Sequence, residues 1–150
     1  MKELTKRILK ENGWYEGRKI NIENFIKYYE EAEVEVFEPV KRFLEEFGGL
    51  TINVKVMQDY LNNDVSIYTT EINPINPLLP YSVLGADDIE ELAHEKMLKV
   101  GTMQNGMYRI AISESGKVYF DDGLIADNID DALDIICVKD SKKMILFNNF

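Results

Sequence analysis

One histidine, one cysteine and twenty-seven carboxylates are the side chains from which this sequence could build a reactive centre. His94 could act as a general base, since imidazole titrates near neutral pH. The segment around it, Asp87 to Leu98, carries its apolar stripe on Ile89, Leu92, Ala93 and Met97, which leaves His94 beside the stripe as a surface histidine. Cys137 falls on an apolar helix face, where a thiol is usually inert packing. A Cys–His pair would require two unrelated elements to meet. The carboxylates are too numerous for any two to stand out as an acid and a base. Asp121, Asp122, Asp127, Asp130 and Asp131 have the composition of a cation site but lack the D-x-D-x-D-G order and closing glutamate of a calcium loop. Turn formation and helix capping account for several of them without a metal. No P-loop, dinucleotide fingerprint or G-x-S-x-G occurs, and Gly101 and Gly106 are separated by strand-like sequence rather than forming a phosphate cradle. The expectation is a protein that is not an enzyme and needs neither cofactor nor metal.

Composition narrows the partner. The net charge is −10, and residues 51–100 alone carry three basic against eight acidic side chains. Such a surface repels phosphate backbones and anionic lipid, so no direct nucleic-acid or membrane binding is expected. It favours a basic protein partner, because complementary fields speed encounter. A single cysteine permits no internal disulfide, which suits a reducing compartment. The N-terminus is charged and amphipathic, and no apolar run approaches the ~20 residues of a membrane span. A cytoplasmic location is the expectation. With 150 residues and a hydrophobic fraction of 45%, the chain fits one domain, 1–150.

The elements that position these side chains follow from periodicity. Leu4, Ile8 and Leu9 share a helical face that ends at Asn12-Gly13. A second helix starts after Asn21 and carries Phe25, Ile26 and Tyr29. Val36, Phe37, Val40, Phe43, Leu44 and Phe47 form one broad stripe on a third, with Pro39 in its first turn and Gly48-Gly49 at its end. The period then drops to two. Ile52, Val54 and Val56 alternate with Asn53 and Lys55, and Val65, Ile67 and Tyr68 suggest a second strand. Three prolines in 74–80 predict a loop or edge. Asp87 to Leu98 reads as a helix capped by Asp87, with Lys96 and Lys99 in its last turn. Strands follow at Val100–Gln104, Met107–Ser113 and Lys117–Asp121, joined by turns at Asn105-Gly106 and Ser115-Gly116. Asn128 caps a last helix whose Ile129, Ala132, Leu133, Ile136 and Cys137 share a face, and Met144–Phe147 could add a strand. Helices first, then strands with one inserted and one short C-terminal helix, predict an α+β fold with a largely antiparallel sheet.

Three stretches in this order resemble the SUKH superfamily, and specifically its third family of bacterial immunity proteins. Gly13-Trp14-Tyr15-Glu16-Gly17-Arg18 is similar to that family's opening G-W-x-x-G-R. Phe43-Leu44-Glu45-Glu46-Phe47-Gly48-Gly49-Leu50 is similar to its F-L-x-x-F-G-G-L. Val100-Gly101, Tyr108 to Ser113, Gly116-Lys117-Val118-Tyr119 and Asn128 to Leu133 follow its hairpin, G-x-V-Y turn and final short helix. The chain departs at Asn73-Pro74, where the family often has aspartate before the proline. The resemblance implies an α+β domain of a polymorphic toxin system that binds and neutralises a cognate toxin domain, commonly a nuclease. The alternative it leaves open is a regulatory or scaffolding module of the same superfamily.

Within that resemblance Gly13, Trp14, Gly17, Arg18, Phe47, Gly48, Gly49 and Tyr119 take structural roles, with Trp14 an anchor and Arg18 bonding carbonyls or a carboxylate. The partner-binding candidates are instead acidic and aromatic: Asp59, Tyr60, Asp64, Tyr68, Glu71, Asp87, Asp88, Glu90, Glu91, Asp121 and Asp122. Tyrosine contributes contact area at low entropy cost, and carboxylates complement a partner's lysines and arginines.

Overall fold

A computed structural model describes residues 1–59, 61–62, 64–75, 86–138 and 141–150. Three helices come first, α1 (Glu3–Glu11), α2 (Glu23–Glu31) and α3 (Glu38–Phe47). The strands are β1 (Thr51–Asp59), β2 (Asp64–Glu71), β3 (Met97–Met103), β4 (Tyr108–Ser113), β5 (Val118–Phe120), β6 (Gly123–Ala126) and β7 (Ile145–Leu146). Helix α4 (Asp87–Ala93) lies between β2 and β3, and α5 (Ile129–Val138) between β6 and β7. The fold is α+β. Among the described residues all pairings are antiparallel and spatial order equals chain order, so the sheet is one seven-stranded meander.

Alternation along the strands gives the sheet two faces. Ile52, Val54, Leu98, Ile110, Ile112, Val118 and Phe120 point to the face covered by the helices, where Leu9, Tyr29, Phe43, Leu44, Phe47, Leu133 and Ile136 complete the main core. The opposite face carries Met97, Ala111 and Tyr119, and α4 covers them with Ala86 and Ile89. That second layer is small.

Local chemistry explains the element ends. The Asn21 side chain accepts the Glu23 N–H at 2.8 Å ahead of α2. Asn128 Oδ1 accepts the Asp131 N–H at 2.9 Å while the Asp131 carboxylate accepts from Asn128 Nδ2 at 2.8 Å, a reciprocal cap at the start of α5. Gln104, Asn105 and Gly106 all have positive φ in the β3–β4 turn, which asparagine and glycine tolerate best.

Several expectations are corrected. The helix expected to run to Leu98 ends at Ala93, because His94 turns into the left-handed region at φ 56° and Met97-Leu98 start β3. Ala86, not Asp87, occupies its cap position, with no side-chain bond. Lys99 is therefore a buried strand residue rather than a solvated helix end. Leu92 and Leu4 are exposed instead of packed, the inward face of α1 being Thr5 and Leu9. The second strand expected at Val65, Ile67 and Tyr68 is present as β2, with Val65 and Ile67 on its outer face and Ser66, Tyr68 and Thr70 on its inward one. Strand β6 was not foreseen, since Gly123–Ala126 is too short for its alternation to register. Residues 76–80 of the proline-rich stretch lie outside the described residues.

Candidate partner-binding surface

The two N-terminal motifs meet in space. Arg18 Nη2 donates to the Gly48 carbonyl at 2.8 Å, and Nη1 donates to the Glu46 carbonyl. The guanidinium thus supplies donors to the end of α3, where carbonyls lose their helical partners. Trp14 stacks near Phe47 with ring centroids 6.4 Å apart, and its Nε1 donates to Glu46 Oε1 at 3.2 Å. Beyond them, the Gly49 N–H donates to the Ile72 carbonyl at 2.7 Å, and the Ile72 N–H to the Leu50 carbonyl at 2.9 Å. Gly13 and Gly17 both turn with positive φ. Tyr119 is buried beneath α4, where it stacks on Phe147 with centroids 6.1 Å apart. Its hydroxyl donates to Glu95 at 3.4 Å, and burial with that carboxylate pushes its pKa up to about 12.

The acidic candidates separate into two regions. Register places Glu71 opposite Thr102 and Thr102 opposite Arg109, on the outer face of the sheet. Asp121, just past β5, closes this row: its Oδ1 accepts the Arg109 N–H at 2.6 Å, and its Oδ2 accepts Arg109 Nε at 3.0 Å and Nη2 at 2.8 Å. Asp88 on α4 takes the other side of the same guanidinium, at 3.1 and 2.9 Å. Partial burial works against ionisation of Asp88, but the hydrogen bonds and charge of Arg109 outweigh it and hold its pKa below the usual carboxylate value. Glu90 is also occupied, accepting the Met97 N–H at 2.9 Å. Asp87, Glu91 and Asp122 are exposed. This first region contains Glu71, Asp87, Asp88, Glu90, Glu91, Asp121 and Asp122.

The second region is the far end of the β1–β2 hairpin. Asp59 pairs with Asp64 there, and Asp64 is exposed. Seven residues of extended chain, about 24 Å, separate Asp64 from Glu71. Tyr68 is half-buried and on the inward face, so it is poorly placed for an outer contact. Tyr60 lies outside the described residues.

Arg109 escaped the sequence reading although it organises the first region. Alternation with buried Ile110 and the Ser115-Gly116 turn would together have put it opposite Asp121. Asn12 and Asn105 were also missed. Asn12 Oδ1 accepts the Asn53 N–H at 3.1 Å on the edge of β1 away from β2. Asn105 Oδ1 accepts the Thr69 N–H at 2.8 Å, and its own N–H donates to the Thr69 carbonyl at 2.9 Å.

Among the described residues no group of His, Cys, Asp and Glu could hold a metal ion. His94 is an exposed helix end, and burial together with the nearby Asp134 pushes the Cys137 thiol up to about 12, far from a nucleophile's range. No helix among the described residues is long and apolar enough to cross a membrane. What the fold presents is a helix-backed antiparallel meander whose other face is partly covered by one acidic helix. The model of the SUKH-3 immunity protein family matches residues 1–139, and the chain belongs to that family. No curated protein and no solved structure gives a significant match.

Proposed function

We propose that this chain binds a cognate bacterial toxin domain, a nuclease, and neutralises it by covering its active cleft. Membership of the SUKH-3 immunity family is the observation that carries this reading. The electrostatics support it. A nuclease must hold a polyanion, so its cleft is basic, and a chain of net charge −10 is drawn to it. The exposed carboxylates of Asp87 and Glu91 on α4, with Glu71 and Asp122 nearby on the sheet, are proposed to meet the toxin's lysines and arginines. Asp88, Asp121 and Glu90 hold the surface together rather than contact the partner, because their oxygens already serve Arg109 and Met97. Catalysis has no part in this reading, and neither does a cofactor.

Co-expression of the chain with the toxin domain encoded by the neighbouring gene tests it. Restored growth together with a complex that co-purifies is the expected result. Continued growth arrest with no complex would overturn it and favour the regulatory module.

A further inference from the structure

The β1–β2 hairpin projects past the rest of the sheet. Strand β2 runs eight residues, yet its register with β3 is the single pair Glu71–Thr102 among the described residues. Beyond that pair the chain of β3 turns away, and one side chain takes its place. Asn105 bonds the N–H and carbonyl of Thr69 as a neighbouring strand would, and its Nδ2 reaches the Ile67 carbonyl at 3.5 Å.

These bonds fix which backbone groups face outward. Thr69 turns its N–H and carbonyl away from β1, so by alternation Ile67 and Val65 do the same. The register Asn53–Thr69, Lys55–Ile67, Met57–Val65 is unbroken across this stretch, so the parity holds. Among the described residues the Val65 N–H, the Val65 carbonyl and the Ile67 N–H thus form an open edge that continues where Asn105 leaves off. Sheets ordinarily blunt such an edge with charge, proline or a bulge. β2 has none of these along Val65–Ile67. The side chains there are apolar and half open, Val65 at 50% and Ile67 at 52%, and Met107 in the adjacent β3–β4 turn is 71% exposed.

We infer that this edge is a β-augmentation site, at which an extended segment of the toxin adds a short strand beside Val65–Ile67. The inference rests on the toxin-binding reading above and specifies its geometry. Main-chain hydrogen bonds supply affinity in this mode, and alternate side chains supply selectivity. The occupant follows from charge: β2 holds Asp64 and Glu71 at its two ends and no basic residue. A matching segment has apolar residues at alternate positions, facing Val65 and Ile67, with lysine or arginine flanking them. A second copy of this chain would bring another ten negative charges to the same edge, which disfavours it.

Amide exchange followed by NMR, on the chain alone and with the toxin domain encoded by the neighbouring gene, tests the site. The Val65 and Ile67 N–H groups exchange freely in the isolated chain and slow by about 100-fold or more in the complex. A complex in which both amides stay fast overturns the docking edge and leaves toxin binding standing. The absence of any complex overturns both. Protection that grows with the chain's own concentration, without toxin, identifies a second copy as the occupant and also overturns the inference. The Val65→Pro variant removes an outward donor that β1 does not use, so it keeps the ladder while weakening the complex about tenfold or more.

Discussion

Asp88 on α4 and Asp121 beside β5 accept opposite sides of one guanidinium, that of Arg109, so a single cation ties the outer helix to the sheet. The tie matters because the apolar layer under α4 is thin, resting on Ala86, Ile89, Met97, Ala111 and Tyr119. With so little area to bury, the polar ties of the helix, this one and the bond from the Met97 N–H to Glu90, carry a larger share of its seating.

Replacement of Arg109 by methionine keeps most of the side-chain volume and removes every donor. It leaves the half-buried Asp121 carboxylate without its partner, and a destabilisation of about 2 kcal/mol is expected. The loss should be local. Amide exchange in α4, at Ile89 and its neighbours, should rise before the strands around Ile110 and Ile112 respond. Uniform loosening of α4 and the central strands would show that the guanidinium is not what seats the helix.

The same geometry divides charge reversals into two kinds. Asp87→Lys and Glu91→Lys alter exposed carboxylates, so each should shift stability by no more than about 0.5 kcal/mol while slowing association with the toxin. That slowing should fade as salt is added. Asp121→Lys places a cation against Arg109 and should unfold the outer layer first. Stopped-flow association beside thermal melting separates these outcomes, and an unchanged association rate for both Asp87 and Glu91 would remove α4 from the interface.

Residue type and spacing made the helix-covered face legible. The stripe from Val40 to Phe47 and the alternation of Ile52 and Val54 stand out because a large apolar core imposes strict periodicity. The outer face imposes far less. Met97 and Leu98 prolong an apolar helical pattern, and only the left-handed turn at His94, with Glu90 accepting the Met97 N–H, shows where α4 stops. Val65 and Ile67 are apolar, yet they alternate with the inward Ser66, Tyr68 and Thr70, and Ile67 shares the outer face with Lys55, its partner across β1. Charge alone marks out the acidic candidates in the sequence. Charge cannot distinguish Asp87, which is exposed, from Asp88, which is committed to Arg109, because that difference depends on a cation brought in by register from another hairpin.

Gly101 of β3 sits against the backbone at the end of β2. A Cβ there would fall against the Glu71 carbonyl and the Ile72 Cα, both backbone atoms that cannot rotate aside. Gly101→Ala should therefore break the Glu71–Thr102 pair that joins the hairpin arm to the remaining strands, destabilising the chain by about 3 kcal/mol. The N-terminal helices should keep their circular dichroism while exchange at Glu71 and Thr102 accelerates. Retained protection at both residues would show that the strands can separate slightly without losing their pairing.

Lys99 reaches the outer face from β3 and is almost wholly buried, with no ion pair closing on its ammonium among the described residues. Burial lowers its pKa, Arg109 pushes the same way, and Asp121 opposes them. Because the folded-state pKa lies below the unfolded value of about 10.4, the unfolded chain binds the proton more tightly. The resulting penalty on folding is complete below the folded-state pKa, and it disappears as pH rises towards about 10.4. Lys99→Met keeps the stem's packing and removes the charge, so it should raise the melting temperature at pH 7 by about 2–4 °C. The advantage should shrink in melts taken as pH rises through the folded-state pKa towards about 10.4. A variant less stable than the parent at pH 7 would mean that the ammonium contributes more to the Arg109 cluster than its burial takes away.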